Sequence, residues 1–155
     1  MSLFQTKVRF LGHNFEKGKS IPINRNIELA SKFPDIITDT TQLQRFLGSL
    51  NYISPFYKDL AKDTSILYDR LKKILKLWTD AHTQAVQKIK GKVNNLPCLA
   101  LANPNWQKII ETDASDIGNG GILKQLSPID KQEYLVQFYS SKWNNSQKNY
   151  AIVAK

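Results

Sequence analysis

The stretch Ile109 to Leu123, IIETDASDIGNGGIL, limits what this chain can fold into more than any other. Its β-branched opening suits an extended strand, and Gly118, Gly120 and Gly121 are expected to mark the turn beyond it. Asp113 then stands at a strand end. A carboxylate there rests on a rigid support and still reaches solvent, the placement a divalent ion such as Mg²⁺ needs, because that ion takes hard oxygen ligands and keeps several waters. Strand alternation sets Glu111 on the face of Asp113 and Thr112 on the other. A second reading of the same residues is a polar strand end running into an Asp turn, with no ion involved.

Beyond the glycines, Gly121 to Leu126 and Tyr134 to Ser140 read as two more strands separated by the polar turn SPIDKQ. Sequential strands at such short spacing predict an antiparallel meander. Asn144, Asn145 or Ser146 is placed to cap a helix that begins at Gln147 and runs through Tyr150, Ile152 and Val153.

The N-terminal half reads differently. Lys7 to Phe15 alternates as a strand, Lys17, Gly18 and Lys19 turn it, and Ile21 to Ile23 returns as its partner. Asn24 or Asn26 is positioned to cap a short helix through Ile27, Leu29, Ala30 and Phe33, ended by Pro34. The strongest helix signal follows, with Asp39 or Thr40 as cap and Leu43, Phe46, Leu47 and Leu50 recurring as one buried stripe. Gln44, Gly48 and Tyr52 align on another side, away from that stripe. A glycine inside an exposed helix costs about 1 kcal/mol relative to alanine, and nothing on the core side asks for it. It permits close approach, either of a ligand surface or of another helix of the same chain.

Ser54 with Pro55 is expected to start a further helix burying Phe56, Tyr57, Leu60 and Ala61, and Thr64 or Ser65 to open another through Ile66, Leu67 and Leu71. Arg70, Lys72, Lys73 and Lys76 form the densest basic run, suited to phosphates or simply to a solvated helix end. Trp78, Thr79 and Asp80 cap a long amphipathic helix with Ala85, Val86, Ile89 and Val93 on one face. Leu99 to Leu101 reads as a short strand, and a domain boundary is expected near Asn103.

Composition bounds the function. With 41% apolar residues in 155, the chain can bury a core; its 22 basic residues against 13 acids give +9, a balance that suits a phosphate backbone or an incidentally basic soluble protein. Apolar runs fall far short of the roughly 18 residues needed to cross a bilayer, and no signal peptide opens the chain, so an intracellular setting without membrane contact is expected. The single cysteine, Cys98, excludes an internal disulfide framework, and His13 and His82 offer no zinc constellation.

ETDASD followed by GGIL, with FYSSKW and QKNYAIVAK downstream, resembles the opening of the ribonuclease H domain in reverse transcriptases of plant pararetroviruses and related long-terminal-repeat retrotransposons. Upstream, KVRFLGHNF, KFPDIITDTTQLQRFLGSLNYISPFYKDLAK and PCLALANPNWQKIIETDAS resemble the thumb and connecting segment of the same polyproteins. These ordered blocks cover nearly the whole chain. The resemblance implies an α+β fold: residues 1–35 closing the polymerase palm, 36–103 a helical thumb and connector, and 104–155 the N-terminal part of a ribonuclease H-like domain, a truncated antiparallel sheet plus the start of a helix.

The resemblance also implies roles. Gln44, Gly48 and Tyr52 match thumb residues that track the minor groove of the template–primer duplex, with Arg45 in the same candidate set; such contacts read shape and carry little sequence information. Asp113 matches the first metal ligand, Asp116 a commonly acidic position beside it, and Glu111 is a strand neighbour able to assist an ion weakly. Ile66, Asn119 and Gln147 depart from residues usual in the family, a proline, an aromatic and a glutamate. The complete enzyme would be an RNA-directed DNA polymerase with Mg²⁺-dependent cleavage of RNA in RNA–DNA hybrids. The polymerase Tyr-x-Asp-Asp motif is absent from this sequence, and the family's next glutamate and two further aspartates would fall past Lys155. Since two-metal hydrolysis takes several converging carboxylates, the piece is expected to supply a grip on the hybrid and one metal ligand, without cleaving alone. A truncated sheet exposes an apolar face and an edge, which either pack on the helical region or recruit a second copy, and a homodimer is the expectation. Two alternatives stand beside this reading: a non-catalytic duplex-binding module from a decayed element, and a protein-interaction domain.

Overall fold

A four-stranded sheet, a helical core and a three-stranded sheet follow one another in a computed structural model that describes residues 5–10, 13–72, 77–116 and 118–148. The first sheet has the order β1 (Lys7–Phe10), β2 (His13–Glu16), β3 (Lys19–Pro22), β4 (Leu99–Ala100), all antiparallel. The single strand expected from Lys7 to Phe15 is therefore two, paired Phe10 to His13 across a reversal. Alternation runs on through Gly12 in the sequence, so period alone does not reveal the reversal. Between β2 and β3, Lys17 (φ 48°) and Gly18 (φ 73°) both take positive φ, as a two-residue hairpin loop requires to match strand twist. The short strand predicted at Leu99 docks on β3 and ties the N-terminal hairpin to the segment leading into the second sheet.

α1 (Asn24–Lys32) is capped by Ile23, whose carbonyl accepts from Asn26 N at 2.9 Å; neither Asn24 nor Asn26 serves as side-chain cap. α2 (Thr40–Leu50) begins as expected, with Asp39 Oδ2 accepting from Gln42 N at 2.7 Å. Leu43, Phe46, Leu47 and Leu50 are all buried, packed with Ala30, Ile37, Ile53 and Leu67. The helix runs directly into a 3₁₀ turn, Asn51–Phe56, which contains Ser54 and Pro55 instead of a new α-helix start. The Ser54 hydroxyl donates to Asn51 O at 2.9 Å within that turn, so it caps nothing downstream.

α3 (Leu60–Arg70) follows Asp59, which holds φ 64° at the N-cap position. Thr64 opens no second helix: it is buried inside α3 and its hydroxyl donates to Leu60 O at 2.7 Å, the i−4 bond that lets threonine sit in a helix interior. α4 (Asp80–Val93) has Thr79 as N-cap, with the Thr79 N–H donating to His82 Nδ1 at 3.1 Å, and buries Val86, Ile89 and Val93 as predicted.

The second sheet is the predicted antiparallel meander, β5 (Gln107–Ala114), β6 (Gly118–Leu126) and β7 (Glu133–Lys142). Gly118, Gly120 and Gly121 lie inside β6, not in the turn before it. At Gly118 a Cβ would fall 2.2 Å from Ser141 O, so only glycine lets β6 run this close to β7. α5 (Asn145–Lys148) is capped by Asn144: Gln147 N donates to Asn144 Oδ1 at 2.8 Å and Asn144 N to Gln147 Oε1 at 3.0 Å. The rest of that expected helix, through Tyr150, Ile152 and Val153, lies outside the described residues, as do Lys73 and Lys76 of the basic run.

β7 packs on the 3₁₀ turn and α3. Ala61 N donates to Ser140 Oγ at 3.0 Å, and Lys142 Nζ meets Asp69 Oδ1 at 2.9 Å. The helices thus cover β7 on one face of the sheet, whereas β5 stays exposed at seven of its eight residues and the other face leaves Ile110 70% and Tyr139 57% exposed; the expected homodimer is not supported. Among the described residues no helix is long and apolar enough to cross a membrane.

Candidate nucleic-acid interface and metal-ligand tip

α2 presents two sides with opposite fates. Its apolar stripe is sealed in the core, which fixes the helix and leaves Gln44, Arg45 and Gly48 exposed on the outside. None of the described residues lies within 4 Å of where a Gly48 Cβ would be, so no helix among them uses the glycine for close packing. Tyr52 is 61% exposed, but it sits beyond the end of α2, in the 3₁₀ turn. Tighter winding there, about 3.0 residues per turn, rotates it from the α-helical i+8 position that its spacing from Gln44 suggests.

Asp113 is exposed near the end of β5, in register with Gly120, which in turn faces Ser140 on β7. It therefore shares the sheet face that meets the helices. Among the described residues no hydrogen bond or ion pair engages its carboxylate. It lines a small cavity of about 110 Å³ together with Asp59, Lys62, Ser115 and Lys142. Asp59 comes from the residue before α3, and its Oδ1 is 3.5 Å from where a Gly120 Cβ would stand. Sequence reasoning did not find Asp59 or Lys62, because they lie far along the chain from Asp113 and only the docking of β7 on α3 brings them near. The single local signal is the left-handed backbone at Asp59, which a sequence does not display.

Beyond Asp113, Ser115 closes the strand end: its N–H donates to Gly118 O at 2.9 Å and its carbonyl accepts from Trp143 Nε1 at 2.6 Å. Asp116 is exposed in the bend that follows. Glu111 shares the face of Asp113, yet its carboxylate is held by Lys124 at 2.5 Å, and the same ammonium reaches Glu133 at 3.1 Å. Those two hydrogen bonds, Glu111 first, push the Lys124 ammonium above its ordinary pKa.

Divalent-ion chemistry sets a clear test for this tip. Among the described residues no group of three or more His, Cys, Asp or Glu side chains converges closely enough to hold a metal ion. Asp113 offers Mg²⁺ one hard, unengaged oxygen ligand, which suits an ion that keeps most of its waters. A pair of ions held a few ångströms apart needs more carboxylates than the described residues of this tip supply.

Behind the tip, the helices are pinned by a buried carboxylate. Asp63 accepts from Tyr57 OH at 2.9 Å, from Lys88 Nζ at 2.7 Å and from Lys92 Nζ at 2.7 Å, linking α3 to α4. Burial pushes the Asp63 pKa up, but the bonds from Lys88, Lys92 and Tyr57 together outweigh it and hold the group below the usual carboxylate range. The same burial, reinforced by the Asp63 charge, drives the Tyr57 phenol well above its ordinary value. Asp69, bonded first to Lys72 and then to Lys142, is lowered to about 2.

Known proteins place this arrangement. Residues 78–155 match the family described as the RNase H-like domain found in reverse transcriptase. The "Enzymatic polyprotein" of Figwort mosaic virus (strain DxS) is 39% identical over 150 residues, covering 96% of this chain and 22% of the relative. The Transposon Tf2-3 polyprotein of Schizosaccharomyces pombe is 34% identical over 154 residues, covering 97% of this chain and 11% of the relative. The chain thus spans about a fifth or less of the curated relatives it matches. The foamy viral protease-reverse transcriptase, solved in complex with RNA/DNA hybrid, superimposes with a TM-score of 0.78 at 17% identity, over 98% of this chain and 20% of that one. That likeness supports the fold alone. Helical region, meander and family match agree, and the chain belongs to the ribonuclease H-like domains found in the reverse transcriptases of retroelement polyproteins.

Proposed function

We propose that this chain grips an RNA–DNA hybrid or other duplex nucleic acid within a reverse transcriptase with ribonuclease H, and contributes Asp113 as one Mg²⁺ ligand. Residues 1–35 close the polymerase palm in this reading, 36–103 form the thumb and connector, and 104–155 begin the ribonuclease H-like domain. Gln44, Arg45, Gly48 and Tyr52 make the groove contacts. The observation that carries the reading is the open backbone at Gly48, on an outer helix face beside exposed Gln44 and Arg45. A duplex of regular shape can lie against such a face, while the net charge of +9 favours its phosphates. The structural neighbour's own complex with hybrid is consistent with this use of the fold.

Asp113 is the ligand, and Asp116 is close enough in the chain to assist; Glu111 is engaged by Lys124 and would have to leave that pair to join them. When bound, the ion would polarise water or a phosphate oxygen; the chain's own part is to hold one coordination position on a rigid strand. By itself the chain does not cleave hybrids. The setting is intracellular. The test is fluorescence anisotropy with a labelled RNA–DNA hybrid at two salt concentrations, for the native chain and Gly48→Leu. Weakening with salt and on substitution is expected; indifference to both would overturn the reading and favour a protein partner, for which the exposed Ile110 and Tyr139 face is the available surface.

A further inference from the structure

Away from the Asp113 tip and the Gly48 face, a cleft of about 810 Å³ opens where the first hairpin meets the second sheet. Its floor is built from a buried amide. Gln125 is 2% exposed; its Oε1 accepts from Asn103 N at 2.9 Å and its Nε2 donates to Leu101 O at 2.9 Å, so it holds the segment that joins the two sheets along the cleft. One wall carries Trp106 and Tyr134, ring centroids 6.1 Å apart. The Tyr134 hydroxyl is fixed on Asp130 at 2.5 Å, whereas among the described residues the Trp106 indole N–H has no partner. Lys17 and Lys19 from the hairpin turn also line the cleft, and among the described residues no carboxylate pairs with either ammonium.

A partly covered aromatic pair and two unpaired cations that line one cleft match one ligand chemistry better than others. A purely apolar ligand would leave the lysines unused, and a free anion would leave Trp106 unused. Single-stranded nucleic acid satisfies both, because its bases stack on aromatic rings while its phosphates need cations. We propose that this cleft holds an unpaired nucleotide of a single-stranded segment, with the base against Trp106 and the flanking phosphates at Lys17 and Lys19. The site is separate from the Gly48 face and takes strand that is not in duplex.

Cys98, exposed and the chain's single cysteine, lines the same cleft and provides the readout. The alkylation rate of Cys98 by iodoacetamide is measured on the 155-residue chain with and without an oligothymidylate of about 12 nucleotides, within the range one single-strand site covers. Protection of at least about fivefold is expected from the oligonucleotide, with none from a blunt-ended duplex. Trp106→Ala should weaken the oligonucleotide about tenfold or more, the loss of one stacked base, and Trp106→Phe should retain most of it. Lys17→Glu with Lys19→Glu, both at the surface, should abolish protection without affecting the fold, and carries the test if Trp106→Ala does not fold. Gly48→Leu should leave protection intact while lowering duplex affinity, which separates this site from the groove reading. Unchanged labelling at saturating oligonucleotide, equal protection by blunt duplex, or protection that survives the double lysine substitution would each overturn the proposal.

Discussion

Replacing Gly48 separates stability from binding, because the two should move in opposite directions. The residue lies in the last turn of α2 with helical neighbours, its φ is not in the left-handed region, and an added Cβ meets none of the described residues within 4 Å. Gly48→Ala therefore relieves the entropy that glycine loses in a helix at no steric cost, stabilising the fold by up to about 1 kcal/mol. For a chain of this size that corresponds to a rise of roughly 2–4 °C in Tm. The same methyl, and more so the branched side chain introduced by Gly48→Leu, stands on the outer face where the duplex backbone is proposed to approach. A loss of about 1.4 kcal/mol in binding, tenfold in Kd, is expected for the leucine variant and less for the alanine one. Circular dichroism melts give the first quantity and hybrid anisotropy at fixed salt the second. A drop in Tm would show that the glycine serves the fold; a higher Tm with unchanged affinity would show that nothing approaches this face.

Asp113→Asn should leave the melting curve within about 0.5 kcal/mol of native, since its carboxylate has no partner among the described residues, while removing the Mg²⁺-dependent amide shifts around Gly120 in a ¹⁵N-correlated titration. Retained Mg²⁺ shifts would remove Asp113 as the ligand. Asp63→Ala leaves the buried Tyr57 hydroxyl without its acceptor and strands two half-exposed lysines, so a cost of about 2–3 kcal/mol is expected in urea unfolding, with Asp63→Asn costing less; a loss below about 1 kcal/mol would show that the hub is not holding α3 on α4. Asp35, Asp63 and Asp69 all have folded-state pKa values below their ordinary one, Asp69 at about 2. Their contribution is fully present above about pH 4 and fades as pH falls toward 2, because the unfolded chain then binds more protons than the native one. Stability that is flat down to pH 2 would contradict those shifts.

Much of the fold is legible in the order of residues because local rules act over a few positions. The stripe of Leu43, Phe46, Leu47 and Leu50, the Asp39 cap, the Thr79 start of α4 and the β5–β6–β7 meander all follow from period and capping chemistry, and all appear. Errors gather where two local structures share one pattern. Ser54 and Pro55 suit a helix start and equally a 3₁₀ turn, and the choice went to the turn because α2 continues straight into it. Alternation through Phe10 and His13 fits one long strand and equally a hairpin, and only cross-strand pairing decides between them.

What the linear order determined on its own is the core stripe of α2, the start of α4 and the second meander, the excess of positive charge, the glycine on the outer face of α2 and a carboxylate at the end of β5. Tertiary structure decided which of these groups are left with free valence. It engaged Glu111 with Lys124, carried Asp59 and Lys62 to the cavity beside Asp113, packed β7 of the short sheet on the chain's own helices, and opened the cleft lined by Lys17 and Lys19. The physical reason is range: caps and periods depend on neighbours within a turn or two, whereas whether a charged or aromatic group finds a partner depends on surfaces that meet only after the chain has packed.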